Sequence, residues 1–113
     1  MSNQTKNLFI FYLPLSDNQG IPFPADDFVR VASELRQRFG GLTRMRPTQE
    51  VAWLGEWLET ATRTLYRDEV IPYQILADAT DENEAFFVEF KSTLKTRFRQ
   101  EEIFMISFPV TVY

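Results

Sequence analysis

From Asn7 to Leu13 the chain alternates two apolar sets, Leu8, Ile10 and Tyr12 against Phe9, Phe11 and Leu13. An alternation with no polar side predicts a strand covered on both faces, and therefore a central one. Pro14 to Phe23 then gathers Ser16, Asp17, Asn18, Gly20 and Pro22, which favour turns through side-chain hydrogen bonds, a permissive backbone or a fixed φ. Pro24 suits the first position of a helix and Asp26 and Asp27 suit its positive end, while Phe28, Val31, Leu35 and Phe39 recur at helical spacing. The first helix is thus expected over 24–39, closed by Gly40 in the left-handed conformation.

The middle of the chain reads two ways. Val51, Leu54, Trp57, Leu58, Ala61 and Leu65 fall on a helical stripe, but Pro47, Gly55 and the Thr-rich run to Thr64 suit a helix poorly. The favoured reading is two strands, over 42–58 and 65–77, joined by a turn within 59–64 that contains no Gly, Asn or Pro. Thr80 caps a second helix over 81–98, in which Phe87, Phe90, Leu94 and Phe98 share a stripe and the charge runs from acidic to basic along the dipole. A final strand over 103–112 places Phe104, Ile106, Phe108, Val110 and Val112 on one face, with Met105 and Ser107 on the other.

The order βαββαβ predicts a ferredoxin-like α+β sandwich in a single domain, 1–113: an antiparallel sheet with both helices on one face. Its first two strands run parallel to each other and its last two antiparallel to them. Such a sheet keeps one face without helices, and either choice of inward set on the first strand leaves large apolar side chains on that face. A covering partner is expected, most simply a second copy in a homodimer, with the loop over 14–23 as the competing cover.

Eleven Phe in 113 residues point to an aromatic core. The absence of Cys and His removes disulfides, thiolate metal sites, the commonest general base and the commonest transition-metal ligand. Ser16, Ser33, Ser92 and Ser107 consequently have no His to activate them. Gly40-Gly41 is not followed by the Lys-Ser/Thr of a phosphate-binding loop. No cofactor is implied. A net charge of −4 argues against general nucleic-acid binding. The run Leu8 to Leu15 is too short to span a bilayer and lacks a cleavage site after it, so a cytoplasmic protein is the expectation.

Trp53, Gly55 and Trp57 share one side of a strand, and the glycine between two indoles leaves a gap that a flat ligand or another backbone could enter. Tyr66 and Tyr73 add hydroxyls, making Trp53, Trp57, Tyr66 and Tyr73 the candidate ligand-binding residues. Asp17, Glu59, Asp68, Glu69, Glu101 and Glu102 gather in loops at one end of the sheet, without the spacing of a known metal loop, and read as solvated charge. Arg44 and Arg46, expected at the opposite end, read as surface ion-pair partners.

Phe39-Gly40-Gly41-Leu42-Thr43, Gly55-Glu56-Trp57 and Tyr66-Arg67-Asp68-Glu69 together resemble a family of small uncharacterised α+β proteins. The resemblance implies ferredoxin-like topology and no particular reaction. Three functions fit the pattern in descending order. The first is a non-enzymatic homo-oligomeric binding or assembly module with an aromatic-lined pocket, and the second a dimeric α+β barrel type enzyme acting on a small molecule without a His or Cys centre. The third resembles the small ferredoxin-like CRISPR-associated endonucleases, which expect an Asp at the end of the first strand, where this chain has Tyr12 and Leu13.

Overall fold

The computed structural model describes residues 4–113. Its elements are β1 (Gln4–Pro14), α1 (Ala25–Phe39), β2 (Thr43–Arg44), β3 (Trp53–Leu58), β4 (Leu65–Asp78), α2 (Asp81–Arg97) and β5 (Met105–Val112). The sheet runs β2-β4-β1-β5, with β3 also paired to β4 and every pairing antiparallel. Since β2 and β3 both border β4, they are two pieces of one ferredoxin-like second strand, and the α+β sandwich that the pattern predicts is the fold that forms.

The expected unbroken strand over 42–58 is corrected to these two pieces. β2 pairs with β4 at Tyr73 and Gln74, and β3 takes up the pairing only at Val70. Between them stands Pro72, which has no N–H to offer a neighbouring strand. The chain leaves the sheet over 45–52, touching back where the Met45 N–H reaches the Pro72 carbonyl at 3.3 Å. Leu42, Met45 and Ala52 pack against the edge of the core, so the detour still buries apolar surface.

The hairpin between β3 and β4 closes without glycine. Arg63 takes the left-handed region, φ 60°, and donates its N–H to the Glu59 carbonyl at 2.8 Å, while the Glu59 N–H reaches the Thr64 carbonyl at 2.9 Å. Placing a non-glycine residue there costs about 1–2 kcal/mol. The ladder from Leu58–Leu65 to Trp53–Val70 compensates by pairing six residues on each strand.

Register then sorts the side chains. Phe9 lies opposite Ile75 and Ser107, and Phe11 opposite Tyr73 and Met105, so these share the face that the helices cover. Phe28, Val31, Ala32 and Leu35 of α1 and Phe87, Phe90 and Leu94 of α2 complete the core. Of the eleven Phe, seven are buried, Phe39 and Phe86 pack beside them, and Phe104 and Phe108 lie on the other face. Phe9 stacks on Phe87 at 3.8 Å between centroids, and Phe87 on Phe39 at 5.3 Å. Gly40 closes α1 as expected, at φ 85° with its N–H on the Arg36 carbonyl, whereas Pro24, expected at the first helical position, is the extended residue just before it. The Thr80 hydroxyl accepts from the Asn83 N–H at 3.1 Å and starts α2.

The two helices are joined by Arg97, whose guanidinium donates to both Glu34 oxygens at 2.9 and 2.7 Å. The hydrogen bond from Arg97 holds the Glu34 carboxyl below its usual range, against a smaller opposing effect of burial. A carboxyl lowered in the folded state stabilises the protein above its unfolded pKa, about 4.3, and that contribution disappears as the pH falls through the lower folded value. Thermal melts across pH are therefore expected to show Glu34→Gln less stable than the native chain at neutral pH, with the gap closing below about pH 4.3. A gap unchanged in acid would remove this ion pair from the account.

Among the described residues, no helix is long and apolar enough to cross a membrane.

Candidate functional site

The helix-free face of the sheet is built from the even-numbered positions of β1, β4 and β5. Leu8 lies between Leu76 and Phe108, and Ile10 between Gln74 and Ile106. Tyr12, opposite Pro72, packs against Phe104 with ring centroids 5.9 Å apart. Beyond Tyr12 the sheet narrows to the β3–β4 hairpin, an arm that continues the same face: Trp53 opposite Val70, Gly55 opposite Asp68, Trp57 opposite Tyr66.

Alternation on β3 puts Trp53, Gly55 and Trp57 on one side, as the sequence predicts. Trp57 stacks on Tyr66 at 5.6 Å with an interplanar angle of 14°, and Trp53 meets Tyr12 at 6.1 Å. Gly55 leaves a slot between the indoles: a Cβ there would meet only the Asp68 carbonyl oxygen at 3.6 Å and Val70 Cγ2 at 4.0 Å. All three large rings are open to solvent, Trp53 50%, Trp57 49% and Tyr66 42% exposed. Tyr12 and Asp68 join this site although the sequence pattern placed them elsewhere; only the cross-strand register brings Asp68 opposite Gly55.

Tyr73 does not join the other three candidates. It lies seven positions from Tyr66 on one strand and so faces the helices, fully buried and stacked on Phe11 at 5.1 Å. Its hydroxyl donates to the Phe28 carbonyl at 3.3 Å, and burial pushes its pKa up to about 12. Tyr73 is a core residue with a satisfied hydroxyl.

The slot is electronegative. Glu59 accepts from the Tyr66 hydroxyl at 3.3 Å and, by charge, raises the phenol above its usual range, with Glu101 adding to the effect. Partial burial raises the Asp68 carboxyl above the usual carboxylate range. A carboxylate flanked by exposed aromatic faces attracts a cation from two directions, through the charge and through the ring quadrupoles.

The remaining acidic candidates are engaged separately. Asp17 accepts from the Gln19 and Ile21 N–H groups, each at 2.9 Å, with Arg99 3.7 Å away. Glu102 pairs with Lys91 at 2.9 Å. Among the described residues no group of three or more carboxylates is placed to hold a metal ion. Arg44 lies over the Tyr73 ring at 5.9 Å. Two surface hollows lie away from the rings, one of about 490 Å³ lined by Lys6, Arg38, Asp78 and Glu82, the other about 350 Å³ between α2 and β5. In a single chain the aromatic slot is an open groove.

No family model matches the chain and no curated protein matches it. Among solved structures it is similar to a phage SAM lyase in complex with S-methyl-5'-thioadenosine, with a TM-score of 0.63 and 15% sequence identity over 95% of this chain and 88% of that one. The likeness is one of fold.

Proposed function

We propose that the protein is a homo-oligomeric small-molecule-binding module whose ligand lies against Trp53, Trp57 and Tyr66, over Gly55, with its polar or cationic group toward Asp68. The observation that carries this reading is the Gly55 slot, an unfilled gap between two exposed indoles directly opposite a carboxyl group. A flat heteroaromatic ring suits an exposed indole face beside Gly55, and a positive centre matches the charge. The phage SAM lyase of similar fold holds S-methyl-5'-thioadenosine, a nucleoside thioether. SAM, which joins the same nucleoside to a sulfonium cation, is therefore the first ligand to test.

Titration with SAM and with S-methyl-5'-thioadenosine, followed by tryptophan fluorescence, is the direct experiment, since both Trp residues of the chain are in the site. Saturable quenching is expected, and Trp57→Ala should weaken binding by roughly 5- to 150-fold, the equivalent of about 1–3 kcal/mol for one base stacked on an aromatic ring. No saturable change with either compound would overturn the nucleoside reading.

The second reading is an enzyme acting on such a molecule without His or Cys. It is favoured by the raised Asp68 carboxyl beside the slot, a group poised nearer to neutrality than an ordinary carboxylate. Release of S-methyl-5'-thioadenosine from SAM, lost in Asp68→Asn, would select it; binding without turnover selects the first reading.

A further inference from the structure

We infer that the back of the β3–β4 arm, bearing Leu54, Leu58 and Leu65, grips a second copy of this chain, an inference that rests on the homo-oligomeric reading. The arm exposes large apolar side chains on both sides. Its front carries Trp53, Trp57 and Tyr66, and its back carries Leu54, 58% exposed, with Leu58 at 45% and Leu65 at 47%. Between those leucines Glu56 and Arg67 pair across the strands at 3.7 Å and cancel, and Glu69, opposite Leu54 at the base of the arm, accepts from Gln49 at 3.3 Å.

Among the described residues neither the helices nor the loop over 14–23 covers these leucines. The helices pack over Ile71, Tyr73, Ile75 and Ala77 of β4, whereas the arm starts at Val70 and runs the other way, past the end of β1 at Pro14. The loop over 14–23, the competing cover, folds back on the body instead, through the Ser16–Pro22 bridge and buried Phe23, which meets Phe98 at 5.0 Å.

Area favours a second copy as the occupant. With strands about 4.8 Å apart and about 3.3 Å per residue, the helix-free face of β4, β1 and β5 offers about 400 Å² in plan. A stable interface takes about 600–1,000 Å² from each partner. The back of the arm, about 20 by 10 Å, brings the total to about 600 Å² and leaves the slot on its front free. Growth through the free edge of β5 is discouraged by Pro109, which gives a neighbouring strand no N–H. A contact that joins the open face to the arm of a second copy buries both apolar surfaces at once.

Sedimentation of the full chain over a micromolar range, with SAM binding measured alongside, tests the inference. The native protein is expected as a dimer or other closed assembly. The double variant Leu58→Glu, Leu65→Glu should raise its dissociation constant by about tenfold or more while keeping the far-ultraviolet spectrum. Both sites are already exposed, so the single chain loses no core; should the strand signal nevertheless fall, Leu54→Lys repeats the test nearer the base of the arm. Val88→Glu, on the exposed side of α2, is expected to change nothing, and dissociation by it would overturn the inference. A native assembly unaffected by all arm variants overturns the arm contact and leaves the oligomer standing. A native species of 13.3 kDa at every concentration overturns both, whatever the ligand titration shows.

Discussion

Phe11→Ala is expected to remove about 3–5 kcal/mol of stability, the usual cost of deleting a fully buried ring from a packed core. Phe11 has no exposed surface, stacks on Tyr73 at 5.1 Å and meets the edge of Phe90 at 6.2 Å. Neighbouring rings of this size cannot collapse far enough to fill the space. Against a total stability of roughly 5–15 kcal/mol for a domain, the variant should show a much lower urea midpoint with an unchanged slope. A loss below about 1 kcal/mol would mean that β1 presents its other apolar set to the helices.

Gly55→Val should separate folding from function. The new Cβ lies at ordinary contact distance from the Asp68 carbonyl and Val70, and β-branched residues suit a strand, so stability should hold or rise by about 0.5–1 kcal/mol. The isopropyl group would occupy the space between Trp53 and Trp57, and ligand affinity should drop by about tenfold or more. Urea denaturation and tryptophan fluorescence titration on the same preparation check both halves. Undiminished binding would place the ligand outside the slot.

Much of this architecture is legible one residue at a time. Pro24, Gly40 and Thr80 mark helix ends because each acts through its own backbone or hydroxyl, and alternation on β3 aligns Trp53 with Trp57 without any tertiary information. Tyr73 is a different case: its odd spacing from Tyr66 already sends the two to opposite faces of any shared strand, so parity alone separates the core tyrosine from the site tyrosine. The break at 45–52 is not local. Pro72 interrupts a strand far from it in sequence, and only the register of β4 against β2 and β3 reveals where the missing N–H falls. The same holds for Asp68, which meets Gly55 because a turn closed by Arg63, a residue with no particular preference for the left-handed region, sets the hairpin register.

The unpaired stretch opposite Pro72 also divides the sheet by how readily its amides meet solvent. A hairpin of two strands is marginal by itself in water, and among the described residues the arm has neither a third strand nor a helix over it. Its N–H groups exchange through a local opening that leaves the rest of the chain intact. Those of Phe9 to Phe11, held between β4 and β5, and of Tyr73 and Gln74, held between β1 and β2, wait for the whole domain to unfold. The part of the molecule that carries the aromatic slot is thus the part that opens at the lowest free energy, and any molecule that orders the arm raises that energy without touching the core.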